Sequence, residues 1–218
     1  MRIGIIGAGY VSDFYASTAV LHPKLEIAAV MDQIPERADA LASRLGARSV
    51  SSLEALLAEV DLVVNLTNPS SHFEINAAAL AAGKHVYTEK PVATGLDQAS
   101  ELGRIAARSG AHLCSAPCNL LGETAQTIWR LLRHEAVGTV RLVYAEMDDG
   151  MLHRMNFRSW VNPMGLPWPY QDEIAVGCTA EHAGYYLTWL VAFFGPATAV
   201  TAFAGTQVKD KVIGEHLD

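Results

Sequence analysis

The 218-residue sequence has few charged residues, few cysteines and no cluster of basic residues, and each shortage argues against a class of protein. Charged side chains make up 18% of the chain and the net charge is −7. This composition argues against nucleic acid or an anionic membrane as a partner, because phosphate binding needs clustered lysine and arginine. Three cysteines do not form a disulfide framework, and Cys114 and Cys118 have no second pair to complete a zinc site. We therefore expect no metal centre, a reducing compartment and a cytoplasmic protein.

The sequence also shows no leader pattern, since Met1 and Arg2 run directly into an apolar strand without a cleavage site. One uncharged stretch, residues 183–207, is long enough to cross a bilayer. Gly195-Pro196 divides it into a helix-like half and a half rich in threonine, valine and phenylalanine. The sequence therefore predicts a buried helix followed by a strand, and no membrane partner.

Apolar residues make up 50% of the chain, which is ample for a hydrophobic core. Up to about residue 118, short apolar runs alternate with segments of helical period, which predicts an α/β fold with a doubly wound parallel sheet. The predicted strands are Arg2–Ile6, Leu25–Met31, Arg48–Val50, Asp61–Thr67, Lys84–Tyr87 and His112–Ala116. The predicted helices reach Val20, cover Ile34–Leu45, run from Leu53 to Val60 and from Phe73 to Ala81, and cover Leu96–Ser109.

The pattern changes after about residue 118, where we place a boundary between a first domain, residues 1–118, and a second, α+β domain, residues 119–218. The second domain is predicted to contain a helix at Glu123–Glu135, a strand at Thr139–Met147, an irregular segment at Gly150–Glu173, a helix at Ala180–Phe194 and a strand at Ala197–Ala204. A polar tail follows the last strand.

A glycine-rich turn after the first predicted strand has the spacing of a dinucleotide-binding site. Gly7 permits the tight turn, and Gly9 lets the backbone approach a pyrophosphate at the N-terminus of the next helix, near Tyr10 and Val11. The usual third glycine is replaced by Ser12, which is still small enough for close packing of the helix on the strand. A purely structural turn is the alternative, and the position between a strand and a helix favours the binding site.

Asp32 ends the second predicted strand, 23 residues after Gly9. A carboxylate at this position accepts hydrogen bonds from the adenosine ribose and repels a 2′-phosphate, so it favours NAD over NADP. An aspartate that only forms a turn is the alternative reading. Arg37 lies near enough in sequence to leave NADP possible as the cofactor.

The run Thr88–Ala93 directly follows the fifth predicted strand, and the carboxyl ends of parallel strands are where ligands bind. Lys90 at this point can face the reactive ring of a cofactor, and Pro91 would fix its backbone. By spacing alone, the pattern favours a solvated ion pair between Glu89 and Lys90.

Taken together, these motifs resemble the Gfo/Idh/MocA oxidoreductases, the family of glucose–fructose oxidoreductase and the inositol dehydrogenases. The resemblance runs in order through residues 1–118 and continues more weakly to about residue 204. It implies an N-terminal Rossmann domain and transfer of a hydride between NAD(P) and a secondary alcohol of a sugar or polyol. The motifs are Gly7-Ala8-Gly9, Asp32, Thr67-Asn68-Pro69-Ser70-Ser71-His72, Ala81-Ala82-Gly83-Lys84-His85-Val86 and Glu89-Lys90-Pro91.

The resemblance also implies roles for single residues. Lys90 matches the family lysine that contacts substrate and nicotinamide ribose and takes part in proton transfer. The other residues implied at the nicotinamide side of the cofactor are Thr67, Asn68, Pro69, His72 and Glu89.

Two residues of the predicted second domain match the family's Asp-x-x-x-His or Asp-x-x-x-Tyr element. Counted back from Gly195, they are Glu181, which departs from the usual aspartate, and Tyr185. Because they stand at i and i+4, they are neighbours on a helix. A second register would make His182 the acid/base and put Cys178 at the carboxylate position, and without the resemblance Tyr185 would read as a core residue with its hydroxyl outward.

The irregular segment Gly150–Glu173 is a candidate cover for the substrate, since long loops in compact domains are often functional. Arg154 and Arg158 could hold an anionic group, and Trp160 and Trp168 could stack on a sugar ring. The further substrate candidates are Asn119 and His182.

Members of the family continue into a broad, mostly antiparallel sheet, of which this sequence shows only the first part. The resemblance therefore implies an incomplete second domain, and its exposed sheet edges favour a homo-oligomer. Two alternatives to the dehydrogenase remain at this stage. One is an NAD-binding sensor or subunit without catalysis, and the other is a binder of an S-adenosyl donor, which does not explain Glu89-Lys90-Pro91.

Overall fold

A computed structural model describes residues 1–147 and 150–206 and confirms the α/β prediction. Six strands form one sheet in the order β3-β2-β1-β4-β5-β6, and all neighbours are parallel. The strands are β1 (Arg2–Ile6), β2 (Glu26–Met31), β3 (Arg48–Ser49), β4 (Leu62–Asn65), β5 (His85–Thr88) and β6 (Leu113–Ser115). The helices between them are α1 (Ser12–Ala19), α2 (Pro35–Leu45), α3 (Leu53–Glu59), α4 (His72–Ala81) and α5 (Leu96–Ser109).

The helices cover both faces of the sheet, as the continuous apolar strands predict. Adjacent residues of a strand point to opposite faces, so Ile5 and Ile6 enter two different hydrophobic clusters. The cluster around Ile5 contains Leu41 of α2, and the cluster around Ile6 contains Leu56 of α3 and Leu102 of α5. Each of these three leucines is fully buried.

After β6 the described part of the chain consists of helices joined by irregular segments, with one isolated bridge between Val161 and Pro167 and no strand. Its α-helices are α6 (Glu123–Arg133), α7 (Tyr170–Val176), α8 (Cys178–His182) and α9 (Gly184–Phe194). Short 3-10 helices cover Cys118–Leu121, Leu152–Arg154 and Phe157–Ser159, and a further one, Pro69–Ser71, precedes α4. None of the described helices is long and apolar enough to cross a membrane.

Several predictions for this half are wrong. No strand forms at residues 139–147 or 197–204, because the described chain supplies no strand that pairs with either segment. The helix predicted at residues 180–194 divides at Ala183 into α8 and α9, and α7 begins within the segment 150–173, which is predicted to be irregular. The polar tail, residues 207–218, lies outside the described residues, and the domain boundary at residue 118 stays a prediction.

The turn after β1 requires glycine at its first position. Gly7 has a φ of 94°, and a Cβ there would lie 2.6 Å from the carbonyl carbon of Leu66. At Gly9, in contrast, a Cβ would meet no atom within 4 Å. Glycine is therefore required at position 7 because a side chain would collide with the backbone. At position 9 the packing of the protein itself does not require glycine.

We expect Gly7→Ala to lower the free energy of unfolding by more than about 1–2 kcal/mol, the cost of a positive φ alone, because the new methyl group also collides with the backbone. Gly9→Ala is the matched control and should leave that free energy within about 0.5 kcal/mol of the parent. Urea unfolding followed by circular dichroism measures both. Equal losses in the two variants would contradict the steric role of Gly7.

Candidate active site

The glycine turn and the end of β2 are joined by hydrogen bonds. The Ala8 N–H donates to Oδ2 of Asp32 at 2.6 Å, and the Ile34 N–H donates to Oδ1 at 2.8 Å. The Ser12 hydroxyl donates to the Gly9 carbonyl oxygen at 2.7 Å, and Ser12 is completely buried, so the small residue fits where the third glycine was expected. Asp32 therefore holds the turn in place, and each of its oxygens keeps a lone pair for a ligand.

A groove of about 360 Å³ runs along the carboxyl ends of β1, β2 and β4. Gly9, Asp32 and Arg37 line it together with Thr67 and Asn68. Because a Cβ at Gly9 would point into open space, a ligand's phosphate can approach the backbone there. These residues fit the adenosine and pyrophosphate half of a dinucleotide.

A smaller cavity of about 210 Å³ continues past Gly9 toward the end of β5. It contains most of the residues predicted for the nicotinamide side of the cofactor and for catalysis. Its lining residues include Tyr10, Val11, Thr67, Asn68, Pro69, Glu89, Lys90, Trp168, Glu173 and Tyr185.

His72, which is predicted to contact the cofactor, lines neither of these two cavities. The ring is fully buried, with Nδ1 2.6 Å from the Pro91 carbonyl oxygen and Nε2 2.9 Å from the Thr67 carbonyl oxygen. It therefore joins the loop after β4 to the loop after β5, where the Lys90–Pro91 peptide is cis.

The sequence reading missed a pair of buried asparagines that support the same loops. Asn65 ends β4, accepts from the backbone N–H of Thr67 at 3.2 Å and from its hydroxyl at 2.7 Å, and donates to Asn76 at 2.9 Å. Asn76 in turn donates to the Val92 carbonyl oxygen at 3.3 Å. A polar residue at the end of an otherwise apolar strand was the available signal.

Glu89 holds the backbone of Lys90. Its Oε2 accepts from the Lys90 backbone N–H at 3.1 Å, and its Oε1 accepts from the Tyr15 hydroxyl at 2.6 Å. Burial and the neighbouring Glu89 carboxylate keep the pKa of Tyr15 far above its usual range, so Tyr15 remains a proton donor to this carboxylate. Burial also raises the pKa of Tyr87, whose ring contacts that of Tyr15. Because both oxygens of Glu89 are engaged by Tyr15 and by the Lys90 backbone, the solvated ion pair between the Glu89 and Lys90 side chains is not formed.

The Lys90 side chain enters a cluster of carboxylates instead. Its ammonium pairs with Oε1 of Glu181 and lies 3.6 Å from Oε2 of Glu173. The other oxygen of Glu181 is 2.6 Å from Nδ1 of His182, whose ring lies 5.9 Å from that of Tyr185. The structure thus brings Lys90, Glu181 and Tyr185 together, although the last two stand on separate helices.

Glu173 is the site residue for which the sequence offered no signal. It stands on α7, and its side chain is 13% exposed. Burial raises the pKa of Glu173, while the nearby Lys90 ammonium opposes that shift. Within residues 1–147 and 150–206, no group of three or more His, Cys, Asp or Glu side chains is arranged to hold a metal ion.

The segment Gly150–Glu173 borders the groove and is tied across it. Asn162 donates to the Tyr10 carbonyl oxygen at 3.0 Å, and the Ser70 hydroxyl donates to Asp172 at 3.2 Å. This segment reaches the cavity beside Lys90 through Trp168, Pro169 and Glu173.

The other substrate candidates lie outside that lining. The Trp160 ring packs on Trp168 at 5.1 Å, and the Arg158 guanidinium lies 6.0 Å from the Tyr170 ring centre. Asn119 donates to the backbone oxygen of Tyr185 at 2.8 Å, so it positions that residue. These three residues support the walls of the site, because their side chains pack on or bond to neighbouring protein groups.

The chain is similar to known proteins in sequence and in fold. The UDP-N-acetylglucosamine 3-dehydrogenase of Acidithiobacillus ferrooxidans is 39% identical over 102 residues, which are 47% of this chain and 32% of that protein. Its crystal structure superposes with a TM-score of 0.56 over 60% of this chain and 42% of that chain. The D-glucoside 3-dehydrogenase of Escherichia coli is 40% identical over 114 residues, 50% of this chain and 32% of that protein.

A longer structural match shows how far the fold extends. The WlbA dehydrogenase of Chromobacterium violaceum, solved with NADH and UDP-GlcNAcA, superposes with a TM-score of 0.67 at 23% identity, over 90% of this chain and 56% of that chain. The chain therefore covers about a third to about half of the length of these relatives.

Residues 1–116 match the sequence profile of the GFO_IDH_MocA oxidoreductase family, described by its NAD-binding Rossmann fold. That match covers more than half of the 218 residues and includes the glycine turn, Asp32 and Lys90. The chain belongs to the Gfo/Idh/MocA family of NAD-binding oxidoreductases.

Proposed function

We propose that this protein transfers a hydride between a nicotinamide cofactor and a secondary alcohol of a sugar or polyol. The observation that supports this function best is the Lys90 ammonium, held between Glu173 and Glu181 where the dinucleotide groove opens into a second cavity. The relatives named above as dehydrogenases of UDP-N-acetylglucosamine and of D-glucosides favour a sugar as the substrate. No observation favours the sensor or the S-adenosyl binder, and the homo-oligomer stays a prediction.

The residues present suit NAD, with NADP as a further possibility. Gly9 would allow the pyrophosphate to approach the backbone, and the Asp32 carboxylate would accept from the ribose hydroxyls. Arg37 lines the same groove and offers a positive charge to a 2′-phosphate. When bound, the nicotinamide supplies the redox chemistry as hydride acceptor or donor.

The protein's own residues handle the proton and the orientation of the substrate. The Lys90 ammonium can donate a hydrogen bond to the reacting oxygen and relay its proton. Tyr185 lines the same cavity and is the alternative proton acceptor. Glu181 fixes the ammonium, and Trp168 offers an aromatic face to the apolar side of a sugar ring.

We expect Lys90→Met to lower kcat by at least about 100-fold, the lower end of what general acid–base groups contribute. NAD affinity should change by less than about threefold, because the groove around Gly9 and Asp32 is untouched. Lys24→Met is the matched control, since Lys24 is exposed, and it should keep full activity. NADH absorbance over a panel of sugars and polyols measures turnover, and an unreduced rate in Lys90→Met would refute the role of Lys90.

We further expect Asp32→Asn to reduce the preference for NAD over NADP by about 10-fold or more, since the carboxylate that repels a 2′-phosphate is lost. Quenching of protein fluorescence by each dinucleotide gives the two affinities. Asp97→Asn, an exposed change on α5, is the control and should leave the ratio unchanged. If Asp32→Asn leaves the ratio of NAD to NADP affinity unchanged, Asp32 does not determine the preference between the two cofactors.

A further inference from the structure

One buried oxygen beside Lys90 has no hydrogen-bond partner. Oε2 of Glu173 is inaccessible to solvent, accepts no hydrogen bond and lies 3.6 Å from the Lys90 nitrogen. A buried acceptor without a donor costs free energy, so such atoms call for an explanation. A displacement of the flexible lysine by roughly 0.7 Å would bring the two atoms within hydrogen-bond distance.

The other carboxylates around Lys90 are already engaged. Glu181 uses one oxygen for the Lys90 ammonium and the other for His182. Glu89 uses one oxygen for Tyr15 and the other for the Lys90 backbone. Of these three carboxylates, Glu173 is therefore the one with an oxygen, Oε2, that can bind a proton without breaking a hydrogen bond.

The charges around Glu173 also favour its protonated form. One ammonium lies between the carboxylates of Glu173 and Glu181, so with both ionised the buried group carries an excess negative charge, which burial disfavours. Burial raises the pKa of Glu173 and the Glu89 charge adds to the rise, whereas Lys90 and His72 lower it. A proton on Glu173 leaves Lys90 and Glu181 as a neutral pair.

We propose, on the basis of the function above, that Glu173 is a positioning residue that takes up the substrate proton through Lys90. In the oxidation direction an N–H bond of the Lys90 ammonium breaks and its proton forms an O–H bond on the Glu173 carboxylate, which leaves a lone pair on the Lys90 nitrogen. The substrate O–H bond then breaks, and its proton forms a new N–H bond with that lone pair. Lys90 is thus an ammonium before and after, and the carboxylate becomes a carboxylic acid. Reduction of a ketone runs the same steps backwards.

This relay predicts a pH dependence with a definite sign. Oxidation needs the ionised form of Glu173. The rate of oxidation is therefore highest above the raised pKa of Glu173 and falls as the pH decreases through that pKa. We expect Glu173→Gln, which cannot take the proton, to lower kcat for oxidation by about 10- to 100-fold and to abolish this acid limb. Glu173→Asp should restore part of the rate together with the limb.

The pH profiles of these variants are compared with Glu74→Gln, which removes an exposed carboxylate and should match the parent. A merely structural role of Glu173 would lower the rate without removing the acid limb. The proposal is overturned if Glu173→Gln keeps the parent's acid limb.

A second measurement needs neither cofactor nor substrate. In protein labelled with ¹³Cδ-glutamate, the Glu173 signal is assigned by its loss in Glu173→Gln, and its titration should lie above the ordinary value of about 4.3. Lys90→Met should raise that midpoint further, since the compensating charge is gone. Titration at the ordinary value, or no response to Lys90→Met, overturns the proposal. Absence of nicotinamide reduction by the parent protein would count against the proposed function alone, because the titration still decides whether Lys90 and Glu173 are coupled.

Discussion

The ion pair between Lys90 and Glu181 decides how the two parts of the chain meet. Lys90 follows β5 and so belongs to the sheet, whereas Glu181 stands on α8 of the helical half. Burial of an ammonium costs free energy unless an opposite charge compensates it. Removal of either partner would therefore leave an uncompensated buried charge and destabilise the fold. The position of α8 against the sheet is therefore tied to the chemistry of one side chain. The same lysine lines the cavity beside the groove, so the pair also fixes a charge there.

The sheet order explains why the cavity lies where it does. Neighbouring strands run outward in both directions from β1 and β4, so the connections after these strands go to opposite sides and leave a crevice at their carboxyl ends. The glycine turn follows β1, the Thr67 loop follows β4 and Lys90 follows β5. His72 and the Asn65–Asn76 pair then connect the two loops, although none of the three lines the groove or the smaller cavity beside it.

The sequence sufficed for the sheet and for the motifs that line the groove because those signals are local. An apolar strand, a glycine turn and an aspartate at a fixed offset are read within about thirty residues. The helical half depends on distant contacts. Residues 139–147 alternate like a strand but have no partner in the described chain, and α7 arises in a segment without helical period. Glu173 comes to lie beside Lys90 only through the placement of α7, and the partners of His72 are backbone carbonyls that no motif records.

Two hydrogen bonds connect the segment 150–173 to the residues beside the groove. Asn162 accepts from the N–H groups of Met164 and Leu166 within its own loop, and its amide nitrogen bonds to Tyr10 beside the glycine turn. Together with the bond between Ser70 and Asp172, it ties the segment 150–173 to the loops that follow β1 and β4, where the groove lies. Under the proposed function, opening of these two bonds would be a conformational step of coenzyme exchange, separate from the making and breaking of covalent bonds.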